Sequence, residues 1–189
     1  TLVVPIQARL PELLHASRED TAWVVTVTLL VAAIVTPIAG RLGDMYGKRR
    51  IVLALLAALV VGSVIAALST SIIGVIVGRG LQGAVTGVVP LGISILRDIL
   101  REERVDSAIA LISATLGVGG ALGLPLSALV TQYADWHTLF WMSAGLGVVV
   151  FALVVWVVPV SVLRTAGRFD YLGAAGLAVG LSGILLAIS

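Results

Sequence analysis

Arg79 is the one ionisable side chain that falls deep inside an apolar run of this 189-residue chain, about two helical turns beyond Ile72. A cation near the middle of a bilayer costs from about 3 to more than 10 kcal/mol. Such a group needs an acidic partner or a water-filled cavity, unless its stem lets the charge snorkel to the outer interface. Glu12 is the only carboxylate near the matching depth, and an earlier part of the first span is the other source. Arg79, Gln82, Gly83, Thr86, Pro90 and Ser94 recur at steps of three or four, so one helical face is polar and small while the rest is Val, Ile and Leu. That face lines something wet or packed, and Gln82 alone could also serve as a hydrogen-bonding residue between helices.

A second group of charges forms the knot Gly40-Arg41-Leu42-Gly43-Asp44-Met45-Tyr46-Gly47-Lys48-Arg49-Arg50. Thr21 to Gly40 before it and Ile51 to Gly78 after it carry no ionisable residue, so the knot lies where water begins. Lys48, Arg49 and Arg50 stand at the start of the next helix, where the macrodipole already places about half a positive charge. Something other than helix stability keeps them there. Topology is the simplest reason, because short cytoplasmic loops collect Lys and Arg, with Asp44 and lipid phosphates as counter-charges.

Other chemistries find little support. The chain has no cysteine, which excludes disulfides and thiol-ligated metals, and His15 and His137 lack metal-ligand spacing. A membrane-embedded enzyme needs grouped nucleophiles, acids and bases inside the bilayer, and only Arg79 is ionisable there. With 59% hydrophobic and 12% charged residues and a mean hydropathy of +1.14, the protein is a membrane protein. Its net charge is only +2, which gives no nucleic-acid-binding footprint.

The elements that must position these groups are membrane-spanning helices, since backbone in lipid allows only helices or closed barrels and two-residue alternation is absent. Thr1 to Leu14 is expected to be the outer part of a first span, with Arg9 and Glu12 on one face and able to pair. The chain looks truncated at both ends. Further spans are expected at Thr21–Leu42, with a kink at Pro37, then at Ile51–Leu68, Ile72–Leu96, Ser107–Gln132 and Leu139–Val158. Arg97 to Asp106 is expected to be a solvated mixed-charge loop. Trp23, Trp136 and Trp141 are expected at the interfaces. Residues 164–170 read as a linker, and 171–189 as the start of a seventh span. Arg41, Lys48, Arg49, Arg50, Arg97, Arg101, Arg104, Arg164 and Arg168 all fall in loops on one side, against at most Arg9 and Arg18 on the other. The first side is therefore cytoplasmic.

Gly40, Leu42, Asp44, Gly47, Lys48 and Arg49 resemble the G-x-L-x-D-x-x-G-[RK]-[RK] loop between spans two and three of the major facilitator superfamily, with Met45 in place of a frequent basic residue. Arg79, Gln82 and Gly83 resemble its R-x-x-Q-G motif. Gly117, Gly119, Gly120, Gly123 and Pro125 resemble the glycine-rich antiporter motif of drug-efflux members, although Ser127-Ala128 replace its closing glycines. Arg168-Phe169-Asp170-Tyr171 resembles the entry to span seven in members with fourteen spans. The resemblance implies an all-α integral membrane fold: the six-helix amino-terminal half of a transporter plus the start of a seventh span, residues 1–163 forming the bundle. It further implies proton-coupled efflux of lipophilic or cationic small molecules across the cell membrane. The Asp44 loop would latch the cytoplasmic gate, Arg79 would tune a proton-binding carboxylate, and the glycines would shape the interface between halves. No cofactor beyond the proton gradient is implied; the partners are substrate, protons, membrane lipid and the remainder of the polypeptide. Uptake or export of a physiological solute is the rival within transporters, and a non-transporting scaffold the rival outside them. Small residues at four-residue spacing, such as Gly119 with Gly123, Gly74 with Gly78 and Gly83 with Gly87, also offer close helix packing.

Overall fold

The computed structural model describes residues 6, 10–14, 16–159 and 171–188. Arg9 and its expected pairing with Glu12, His15, and the 164–170 linker lie outside them. A short helix α1 (Leu10–Leu13) leads into α2 (Arg18–Tyr46), α3 (Lys48–Leu68), α4 (Ile72–Gly83), α5 (Val88–Ile99), α6 (Glu102–Tyr133), α7 (His137–Val157) and α8 (Tyr171–Ile188). Among the described residues, five stretches are long and apolar enough to cross a membrane: α2, α3, α4 with α5 taken together, α6 and α7.

Several boundaries move outward from the sequence expectation because charged residues cap helices instead of forming loops. The α2 helix starts at Arg18, where the Ser17 side chain accepts the Asp20 amide at 3.0 Å and Glu19 and Asp20 meet the positive end of the dipole. It runs unbroken through Pro37 to Tyr46. The expected loop from Arg97 to Asp106 shrinks to Leu100 and Arg101: α5 continues through Ile99, and Glu102 and Glu103 open α6. Trp136, just before α7, is buried and packs edge-on to Phe140.

The fourth span is not one regular helix. Ala84–Gly87 tighten into a 3-10 turn between α4 and α5. Pro90 explains it, because it has no amide to give the Thr86 carbonyl one turn back. The Thr86 hydroxyl bonds the Gly83 carbonyl at 2.9 Å within the turn.

The centre of the bundle is α3, packed against α4 on one side and α7 on the other, with α2 crossing α4. Glycines permit the crossings. A Cβ on Gly62 would stand 2.5 Å from the Gly78 carbonyl oxygen, and one on Gly78 would stand 2.5 Å from that of Gly62, so α3 and α4 touch backbone to backbone. A Cβ on Gly83 would stand at the same distance from the Thr28 carbonyl oxygen and one on Gly87 at 2.8 Å from the Ala39 Cβ, whereas the near neighbours of Gly74 are the Ser69 and Ser71 side chains of the turn before α4. Two apolar clusters result. The outer one holds Leu10, Val24, Ala66, Val75, Trp136, Leu139 and Phe140, and the inner one holds Ala39, Val52, Leu55, Leu56 and Leu91.

Candidate functional site

Between the two apolar clusters the facing helices α2, α3 and α4 each contribute polar groups, and these form one chain of hydrogen bonds. Arg79 Nη1 donates to Gln82 Oε1 at 2.8 Å, Gln82 Nε2 donates to Ser63 Oγ at 2.7 Å, and Ser63 Oγ donates to the Leu59 carbonyl at 2.7 Å. The direction of the chain is fixed by chemistry. A guanidinium can only donate, so the amide oxygen of Gln82 must face it, the amide nitrogen must face Ser63, and the serine proton must go to a carbonyl. Arg79 Nε reaches across to the Val24 carbonyl at 3.4 Å, and Thr28 Oγ1 bonds that same carbonyl at 3.0 Å.

These bonds turn the guanidinium into the bundle instead of out along its stem. Glu12, the carboxylate that the sequence offered as a partner, is exposed on α1 and makes no ion pair among the described residues. Gln82 and Ser63 are buried, whereas Arg79 is partly open to a cavity of about 310 Å³. Thr28, Leu59, Arg79, Gln82, Gly83, Val85, Thr86, Leu139, Phe140 and Ser143 line it. Gly83 makes this geometry possible, since its bare backbone lets α4 sit against Thr28 and brings Arg79 within reach of Val24. Ser63 and Thr28 were not singled out from sequence, although a lone hydroxyl in the charge-free run of α3 was a usable signal.

The basic knot is a helix junction with a single-residue hinge. Asp44 lies in the last turn of α2, Lys48 is the first residue of α3, and Gly47 turns the chain with φ 103°, a region that glycine enters without steric cost. Gly40 has open space where a Cβ would go, whereas Gly43, passed over in the sequence, presses against the Leu91 side chain. Lys48 is buried, and its Nζ bonds Asp98 Oδ2 at 2.6 Å. Asp44 is not its counter-charge and makes no side-chain bond among the described residues. The true partner, Asp98, belongs to the segment that the sequence suggested was a solvated loop. Lys48 stands at the amino end of α3 and Asp98 near the carboxyl end of α5, so each charge opposes its own helix dipole and the two satisfy one another.

On the opposite side, His137 Nδ1 lies 2.5 Å from Asp135 Oδ1 and its Nε2 3.1 Å from the Ser69 carbonyl. The His137 backbone amide, followed by its ring, holds the Asp135 carboxyl below the usual carboxylate range. No cluster of His, Asp and Glu suited to a metal occurs among the described residues.

The α6 glycines are placed differently from those of α4. Gly117, Gly119 and Gly120 have nothing within 4 Å of a would-be Cβ, Gly123 is half-buried, and Pro125 is exposed. Among the described residues that helix packs mainly against α5 and α7, with Val130 reaching the outer apolar cluster.

Comparisons with known proteins agree with this architecture. The family model of the Major Facilitator Superfamily matches residues 1–171. The inner membrane transport protein YajR of Escherichia coli K12 is 38% identical over 130 residues, 68% of this chain and 28% of that one. A putative multidrug resistance protein, MdtD of Escherichia fergusonii, is 30% identical over 166 residues, 87% of this chain and 35% of the relative. The chain thus spans about a third of the length of such relatives. In structure it resembles the human organic anion transporter MFSD10 with a TM-score of 0.66 at 19% identity, over 86% of this chain and 38% of that one. A helical bundle whose described residues include five stretches long and apolar enough to cross a membrane, matched along nearly its whole length by the family model, is the amino-terminal half of a transporter fold in the cell membrane, and the chain belongs to the major facilitator superfamily.

Proposed function

We propose that this chain is the amino-terminal half of a proton-coupled exporter of lipophilic or cationic small molecules. The observation that carries the reading is the one-directional chain from the half-buried Arg79 to the buried Gln82 and Ser63, set beside a cavity between the helices of the bundle. A fixed positive charge beside such a cavity lowers the cost of ionising a carboxyl group brought near it. Arg79 would in this way tune the carboxylate that takes up and releases the proton, and Gln82 would hold the guanidinium in place. The names of relatives called multidrug resistance proteins favour drugs as substrates.

The Gly40–Arg49 junction supplies the cytoplasmic gate. Lys48 and Asp98 tie the start of α3 to the end of α5, leaving Asp44 for a partner elsewhere in the polypeptide. The open glycine face of α6, with Pro125, forms the seam with the second half. Residues 164–170 link this bundle to a seventh span at 171–189, as in fourteen-span members.

The test is Arg79→Ala in the full-length transporter, with dye efflux driven by an imposed proton gradient in inverted vesicles. The expected result is loss of gradient-driven efflux with dye binding retained. Unchanged gradient-dependent efflux would remove Arg79 from the coupling step, and absence of any gradient-driven flux in the unmodified protein would overturn the reading.

A further inference from the structure

The helix α7 ends against a proline, and the bond that proline withholds is supplied from another helix. The Val158 amide still bonds the Val154 carbonyl at 3.1 Å, but the next residue, Pro159, has no amide for the carbonyl of Val155. Val158 itself is extended, with φ −83° and ψ 119°, the conformation that a following proline favours. Arg49 Nη2, from the first turn of α3, donates to that Val155 carbonyl at 2.5 Å. The Arg49 Nε is buried without a partner among the described residues, so the side chain is threaded into the contact between helices and not held out in water.

We propose that Arg49 is the carboxyl-terminal cap of α7, a positioning residue that fastens the cytoplasmic end of α7 to the start of α3. The assignment separates Arg49 from Lys48, which pairs with Asp98. It also explains why a cation is tolerated where the α3 dipole opposes it. The α3 helix runs away from the cytoplasm and α7 runs toward it, so the positive end of one lies beside the negative end of the other. Arg49 is misplaced for its own helix and well placed for its neighbour. The device would set where α7 ends and from what point the chain leaves for the residues that follow.

The test uses the full-length transporter and hydrogen–deuterium exchange of the peptide covering residues 150–158. Arg49→Met keeps the apolar stem and removes the donor and charge. Exchange there is expected to accelerate about tenfold, with exchange in α4 unaltered. Pro159→Ala returns an amide to the Val155 carbonyl and frees Val158 to continue the helix, so the double variant should exchange within about threefold of the unmodified protein. If Arg49→Met alone does not fold, recovery of folded protein by Pro159→Ala supports the cap in the same way. Unchanged exchange in Arg49→Met, or a double variant no better than the single one, would overturn the proposal.

Discussion

Exchanging Lys48 and Asp98 for one another asks whether the pair matters as a pair or each charge matters where it stands. Their side chains retain 9% and 23% of their exposure, so the 2.6 Å bond is partly shielded but not fully desolvated. A hydrogen bond between charged groups contributes about 1.5–3 kcal/mol, and an exposed surface pair about 0–1. An intermediate value of about 1–2 kcal/mol fits this burial. Lys48→Met or Asp98→Asn should therefore shift any equilibrium that opens this contact by about 5- to 30-fold. The swap, Lys48→Asp with Asp98→Lys, keeps the bond and the combined side-chain length. It also places an acid at the amino end of α3 and a base in the last turn of α5, each now aligned with its own dipole at about 0.3–1 kcal/mol per site.

The expected order of melting temperature in detergent is swap at or above the unmodified protein, with both single variants below. The two singles and the double should give a coupling energy of about 1 kcal/mol or more in a double-mutant cycle. Transport should fall in the singles and return in the swap. If the swap is as damaging as the sum of the singles, the charges act separately, Asp98 is not the functional partner of Lys48, and the argument from opposed dipoles is wrong.

Two further outcomes follow from packing and from charge. Gly83→Ala places a Cβ 2.5 Å from the Thr28 carbonyl, where only backbone can yield; it should cost about 1–3 kcal/mol, whereas Gly145→Ala, with open space at its Cβ, should be neutral or slightly stabilising, and equal melting temperatures for the two variants would refute the close-packing account. Asp135 has a depressed carboxyl in the folded state, so its electrostatic contribution is present above about pH 4 and is lost as pH falls through the lowered value; Asp135→Ala should lower the melting temperature at pH 7 by more than it does in acid, and a difference that stays constant as pH falls would contradict it.

How much was legible from sequence follows from which interactions are local. Apolar length places the five membrane-crossing stretches found among the described residues, because a helix in lipid must satisfy its backbone by itself. The glycine steps in α4 foretell its close contacts. Pro90 and Asp98 show the limit. Both stand plainly in the sequence, but Pro90 looked like one more position on a polar face, and Asp98 like one more charge in a soluble loop. The meaning of Asp98 depends on Lys48, fifty residues away, and periodicity along one helix carries no information about which residue of another helix it will face. The α6 glycines show the converse. The same small-residue spacing that closes α3 on α4 leaves α6 open on that face, since spacing specifies a surface that allows close approach and not the partner that makes it.

The basic junction shows how a charge unfavourable to its own helix becomes a constraint between helices. Three consecutive cations at the start of α3 oppose its dipole, and a helix on its own would be better without them. Two of the three are committed elsewhere: Lys48 to the carboxyl end of α5 through Asp98, and Arg49 to the carboxyl end of α7 through the Val155 carbonyl. Both targets are helices whose carboxyl ends lie beside the amino end of α3, presenting negative poles at the level where α3 presents a positive one. One turn of α3 therefore ties three helices at a single depth, and Gly47, with its positive φ, sets the direction in which that turn leaves α2. Moving α5 or α7 relative to α3 must break a charged bond, so these helices should move together with α3 as a unit, and rearrangement during transport should fall on α6 and on contacts beyond this bundle.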